Sequence, residues 1–182
     1  MATIPVPPLL EAGHLATAAD MNAISAVATF LISGKPFCSA QANATQALTG
    51  GGARNVIKMQ TKLIDTDSIF SGSGGGTPFT IQTPGWYRAK YFCPTASGNG
   101  DCGMLITTGS GNPQGSGVTN ECWASGCSVS SGSDYTAYSG GGLLPFYMYA
   151  TDQVSLRVSP NSSLSTVLTD AAASMSVEFV SA

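Results

Sequence analysis

Few chemistry-bearing residues of this 182-residue chain stand at spacings that would let them act together. Asp65 and Asp67 are two apart, so at a strand end they would project to one face, where paired carboxylates can bind calcium or serve as acid and base. No third carboxylate lies nearby, and two acidic residues ending a strand is the simpler reading. The single histidine, His14, sits in a Pro-rich arm, which leaves Ser-His and Cys-His nucleophile sets without their base. The glycine run at 71–77, SGSGGGT, lacks the Lys-Ser/Thr pair opening a helix that a phosphate loop requires. We therefore expect no catalytic, cofactor-binding or metal-ligating residues, no cofactor and no enzymatic activity. What remains is aromatic: Trp86, Trp123, Tyr135 and Tyr138 are candidates for glycan or partner contact, because such rings stack on sugar faces as well as filling cores and interfaces.

The five cysteines, at 38, 93, 102, 122 and 127, form no Cys-x-x-Cys pair, so a zinc site is not expected. An odd count points to reduced, buried thiols. Cys93 with Cys102 and Cys122 with Cys127 are near enough in sequence to pair on late oxidation, which leaves Cys38 alone.

The elements that would position these residues begin with an extended arm, residues 1–13. Pro5, Pro7 and Pro8 bar it from a central strand, and Ile4, Val6, Leu9 and Leu10 make it apolar enough to lie on a neighbour. One helix is predicted over Ala18 to Ser33, with Thr17 as N-cap and Asp20 completing a capping box, ended by Gly34 and Pro36. Met21, Ile24, Ala28 and Leu31 step by three, four and three, a seam that Val27 and Phe30 widen. Two readings stay open: a helix packed on its own domain, or one joining two copies of itself at the base of a trimer.

From Lys35 the apolar period becomes two. Asn55 to Asp65 reads as one strand with Ile57, Met59, Thr61 and Leu63 inward. Phe79 to Pro94 reads as two strands about a Pro84-Gly85 turn, the second placing Tyr87, Ala89 and Tyr91 on one side and Trp86, Arg88, Lys90 and Phe92 on the other. Further strands are predicted at Met104–Thr108, Val118–Ala124, Leu143–Ala150, Gln153–Val158 and Ser174–Val180, with a short edge strand at Asp134–Ser139. Eight or more short strands separated by Gly, Ser and Asn turns imply an all-β sandwich or barrel, since only closure or two packed sheets could protect so many edges. The domains are thus 1–34, arm and helix, and 35–182, the sandwich.

Charged residues make up 9% of the chain, against roughly 25% in ordinary soluble domains. The net charge of -3 and the scattered cations argue against a nucleic-acid partner. MATIPVPPLLEAGH has no basic residue before its apolar part, and the longest later apolar run falls far short of the ~20 residues of a membrane span, so export and membrane insertion are not expected.

The Ile81-x-x-Pro84-Gly85-Trp86-Tyr87 strand entry, the Asp152-x-Val154-x-Leu156-x-Val158 segment and a terminal apolar strand together resemble the trimeric jelly rolls of the tumour necrosis factor and complement-head type. Here Thr151 stands where that family commonly has glycine. A proline-containing leader and Thr-Ala-Ala-Asp-Met-Asn at 17–22 opening a single helix before a jelly roll are similar to structural proteins of tailed bacteriophages infecting actinobacteria, among them capsid decoration trimers and minor tail proteins. The resemblance implies a homotrimer in the virion, assembled in the host cytoplasm and docked on the major capsid protein or on tail proteins. Ile4, Val6, Leu9, Met21, Ile24 and Leu31 would then anchor or trimerise it. The expected role is capsid decoration. The alternatives are a minor tail or receptor-binding protein touching host glycan through the loops at 98–101 and 109–117, and a carbohydrate-active or carbohydrate-binding sandwich.

Overall fold

The computed structural model describes residues 4–9, 15–44, 46–72, 78–94, 100–124, 138–142, 145–160 and 173–182. A helix, α1 (Ala18–Thr29), gives way to one wide π-turn (Phe30–Gly34). Eleven strands follow: β1 (Phe37–Gln41), β2 (Asn55–Val56), β3 (Thr61–Asp65), β4 (Phe79–Thr80), β5 (Gly85–Pro94), β6 (Gly100–Thr107), β7 (Thr119–Ala124), β8 (Tyr138–Gly142), β9 (Phe146–Met148), β10 (Gln153–Pro160) and β11 (Ser174–Ser181). One sheet runs β3-β1-β11-β5, with β8 and β9 sharing the far edge of β5; the other runs β2-β10-β6-β7, with β4 beside β2 on the same edge of β10. Every pairing is antiparallel, most connections cross from one sheet to the other, and the first strand pairs with the last. That winding is a jelly roll, and the class is all-β with two antiparallel sheets.

Period-two alternation builds the core. Tyr87, Ala89, Tyr91 and Cys93 of β5 and Met175, Val177 and Phe179 of β11 are buried from one sheet, and Met104 of β6 with Val154, Leu156 and Val158 of β10 from the other. On the reverse face of β5, Trp86, Arg88 and Lys90 are exposed and Phe92 is half-buried, as the sequence predicts.

Two strand expectations need correction. Asn55 to Asp65 is not one strand: Ile57 still donates its N–H to Leu156 of β10 (2.9 Å), whereas Gln60 donates to Gln41 of β1 (2.9 Å), so the chain changes sheets between them. It stays extended while doing so, which is why Ile57 and Met59 remain buried in sequence register. A bulge opposite Ser39 and Ala40 then leaves Leu63 without a cross-strand partner and exposed, although the alternation places it inward. Likewise the two strands about Pro84-Gly85 do not form a hairpin. β4 and β5 lie in opposite sheets, and residues 81–84 are the corner between them. Tyr87 braces that corner by donating its hydroxyl to the Thr83 carbonyl (2.6 Å). Gly85 is required there, since a Cβ would lie 2.3 Å from the Phe179 ring and 2.6 Å from the Ser181 carbonyl.

The helix starts where its cap dictates: Thr17 Oγ1 accepts from the Asp20 N–H (3.2 Å) and the Asp20 carboxylate accepts from the Thr17 N–H (2.8 Å). It stops earlier than predicted, at Thr29. No residue of α1 is buried. Phe30, just past its end, is the docking point, edge-on to Phe179 at 5.9 Å, which is edge-on to Tyr87 at 5.5 Å. Phe30→Ala is expected to cost about 2 kcal/mol, less than a wholly enclosed phenylalanine, because its packing falls on one side. Hydrogen exchange checks this: amides of α1 should lose protection while those of β11 keep theirs.

Candidate functional site

One end of the sandwich gathers the groups that could meet a partner. Its organiser is Asp152, at the start of β10 and almost fully buried. Its carboxylate accepts from the Gly109 N–H (2.8 Å), from the Tyr149 N–H (2.9 Å) and from the Asn112 amide (3.0 Å at one oxygen, 3.3 Å at the other). Only a carboxylate offers enough acceptor positions for donors converging from two segments, so the loop after β6 is tied to the turn before β10. Asn112 Oδ1 in turn accepts from the Gln114 N–H (2.9 Å), and Thr108 Oγ1 accepts from the Val118 N–H (2.9 Å), closing the loop on itself.

The fit is tight. A Cβ at Gly109 would lie 2.2 Å from the Thr151 carbonyl, so only glycine admits this approach. Thr151 itself has φ 74°, a left-handed conformation that costs a residue with a Cβ about 1 kcal/mol. That is the position where the jelly-roll resemblance would put glycine. The Thr151 hydroxyl offsets the strain by accepting from the Gly111 N–H (3.2 Å) and meeting Ser110 Oγ at 3.3 Å.

Around this frame lies a recess of 320 Å³, walled by Ile106, Asn112, Gln114, Phe146, Tyr147 and Tyr149 above Asp152. Tyr147 is the cross-strand partner of Trp86, and their rings meet edge-to-face at 5.8 Å. Tyr149 follows at 5.0 Å from Tyr147. Three rings thus form a ladder from the outer face of the β5 sheet into the recess. Trp86 and Tyr147 keep 42% and 41% of their surfaces in solvent.

Of the four aromatics singled out by sequence, Trp86 belongs to this ladder. Tyr135 lies outside the described residues, and of Trp123 and Tyr138 the backbone alone is described. Trp123 is on β7 in the opposite sheet. Tyr138 pairs with Pro94, eight residues along β5 from Trp86 and so roughly 27 Å away. Tyr147 and Tyr149 lie in the apolar run Leu143–Ala150, read only as a strand; the alternation Phe146-Tyr147-Met148-Tyr149 was the available signal.

The carboxylate pair is structural. Asp65 accepts from the N–H groups of Asp67 (3.3 Å), Ile69 (2.9 Å) and Phe70 (3.1 Å), closing a turn, and Asp67 is buried. Neither carboxylate lines the recess above Asp152 or the cleft beneath α1, and among the described residues no group of three metal-capable side chains occurs. Cys38, Cys93 and Cys102 are buried and stand outside any disulfide, so the Cys93–Cys102 pairing is not formed; these two thiols come from opposite sheets. The Cys122–Cys127 pairing lies outside the described residues. Burial, followed by the charge of Asp65 and against that of Lys62, pushes the Cys38 thiol up to about 12. Glu178, in an ion pair with Lys35 at 3.0 Å, is held below its usual value, chiefly by that hydrogen bond.

Ile4 is half-buried against the chain's own core. Val6 and Leu9 of the arm are 82% and 87% exposed, and Met21, Ile24 and Leu31 are 58%, 42% and 65% exposed. A cleft of 660 Å³ lined by Pro5, Ser25, Phe30 and Thr66 separates α1 from the body. Among the described residues no helix is long and apolar enough to cross a membrane.

No family model matches the chain, and no curated protein matches it. Among solved structures it is similar to murine APRIL at pH 8.0, with 10% identity, a TM-score of 0.48 and coverage of 79% of this chain and 98% of that one. It is also similar to murine APRIL at pH 8.5, with 12% identity, a TM-score of 0.44 and the same coverage. The jelly-roll class rests on the strand order, to which these likenesses add no argument.

Proposed function

We propose that the protein is a structural component of a tailed-phage virion, a homotrimer that decorates the capsid and stabilises the assembled shell. The observation that carries this reading is the unburied apolar stripe on a capped helix. Met21, Ile24 and Ala28 of α1 keep coiled-coil spacing, Leu31 follows in the π-turn, and none is buried by its own chain. A helix of 12 residues is marginal alone, so three copies meeting along this seam would supply the packing each lacks. The exposed Val6 and Leu9 would lie on the neighbouring subunit or on the major capsid protein. The phage assignment comes from the resemblance of the leader and helix opening, and with it the placement in the virion.

The mechanism needs no cofactor, nucleic acid, membrane or catalysis. A protein that binds the assembled shell and not its free subunits stabilises the shell by mass action. Three linked attachment points turn weak contacts into lasting ones. The test is the mass in solution by light scattering, for the full chain and for one lacking residues 1–34. The full chain should give three times 18.4 kDa and the shortened one a monomer. A trimer that survives the deletion moves the threefold contacts to the sandwich and leaves arm and helix for the shell. Monomers in both forms overturn the trimer.

A further inference from the structure

We propose that the recess between Tyr149 and the Gly109–Gly117 loop binds a neutral saccharide, with Trp86 and Tyr147 as the stacking platform that continues it over the sheet face. The recess volume, 320 Å³, is at the lower end of the roughly 300–1,000 Å³ that small-ligand sites occupy. Its walls are rings and amides, the combination that matches a sugar's alternating apolar faces and equatorial hydroxyls. Edge-to-face contacts between the rings leave ring faces open, and solvent reaches both Trp86 and Tyr147.

Charge selects the ligand class. Among the described residues no lysine or arginine lines the recess, and the one carboxylate that does, Asp152, is already taken up by donors from Gly109, Asn112 and Tyr149. An anionic ligand would find no cation there, and a cationic one only a buried carboxylate whose acceptor positions are already occupied. Arg88, the next outward residue after Trp86, lies about 7 Å further along β5, outside the recess and opposite Glu178, which pairs with Lys35 at 3.0 Å. Polar recognition falls to the exposed Gln114 amide and to the hydroxyls that Tyr147 and Tyr149 carry, neutral groups suited to neutral hydroxyls. The Asp152 frame holds this wall in place before any ligand arrives, so little ordering cost remains at binding.

The experiment titrates the full chain, with Trp123→Phe making Trp86 the sole indole, against neutral hexasaccharides of glucose, galactose, mannose and N-acetylglucosamine. Trp86 emission and calorimetry report binding, and light scattering reports self-association in the same samples. At least one hexasaccharide should bind with a Kd of about 1 mM or tighter. Tyr147→Ala should weaken it about tenfold, Gln114→Ala should weaken it severalfold, and Trp86→Tyr, which keeps a ring, should retain it. No binding by any of the four at about 10 mM overturns the proposal. So does binding that Tyr147→Ala and Gln114→Ala both leave unchanged. If Tyr147→Ala instead dissociates an oligomer and no saccharide binds, the ladder is a contact between copies of the chain, and the proposal is wrong.

Discussion

Asp152→Ala should be among the most damaging single substitutions in this protein, lowering stability by about 3–5 kcal/mol. The carboxylate is almost fully buried and holds two backbone N–H groups and one side-chain amide at 2.8 to 3.0 Å. Removing it strands three donors at the closed end of the sandwich, and each buried unpaired donor costs about 1–3 kcal/mol. A domain of this size is stable by roughly 5–15 kcal/mol, so much of the margin would go. Asp152→Asn keeps one oxygen but turns an NH2 toward one of the former donors, so it should lose about half as much. Urea unfolding, followed by circular dichroism, gives both numbers. Since the same carboxylate fixes the loop that walls the recess, saccharide affinity should fall in either variant under conditions where both are still folded. A loss below about 1 kcal/mol for the alanine variant would mean that the donors find other acceptors, and that the loop end is not organised as described.

That organising role explains what the sequence hid. Asp152 stood out only as the first residue of an alternating segment; two of its three donors come from a loop some forty positions earlier, and no spacing along the chain brings them to mind. The ring ladder was concealed in the same way. Trp86 was conspicuous by type, but its neighbour Tyr147 depends on the register of β9 against β5, and the run containing it looks like core. The fold was more open to reading, because Tyr87-x-Ala89-x-Tyr91 and Met175-x-Val177-x-Phe179 must each face one side of a sheet, and the structure buries both sets. Alternation held through a change of sheet at Ile57 to Gln60, which therefore left no mark in the pattern, and failed where a bulge displaced Leu63. Neither event alters local propensity. The helix shows the converse: Thr17 and Asp20 declare its start outright, yet nothing in its spacing tells that no residue of α1 would be buried and that Phe30 would reach the core.

Alkali should unfold the protein through its core, with Cys38 and Tyr87 as the responsible groups. Both ionise only with difficulty in the folded state. Burial, reinforced by Asp65, raises the Cys38 thiol from 9.0 to about 12, and burial with the charge of Asp67 raises the Tyr87 phenol well above 10.0. In the unfolded chain the thiol loses its proton from about pH 9 and the phenol from about pH 10. Between those values and the raised ones the folded state holds more protons than the unfolded one, so stability is complete below pH 9 and falls as pH rises. Each group contributes a slope of about 1.4 kcal/mol per pH unit, which by pH 11 adds to roughly 4 kcal/mol, two units from the thiol and one from the phenol. Variants separate the two. Cys38→Ala should cost about 1 kcal/mol at pH 7 through the small cavity it leaves, but lose stability more slowly between pH 9 and 11. Tyr87→Phe leaves the Thr83 carbonyl without its donor, costing about 1 kcal/mol at neutral pH, and should flatten the curve only above pH 10. The measurement is the difference in unfolding free energy between each variant and the parent across that range. Parallel curves for Cys38→Ala and the parent would mean that the thiol ionises in the core without penalty, which a side chain sealed between β1 and the opposite sheet should not allow.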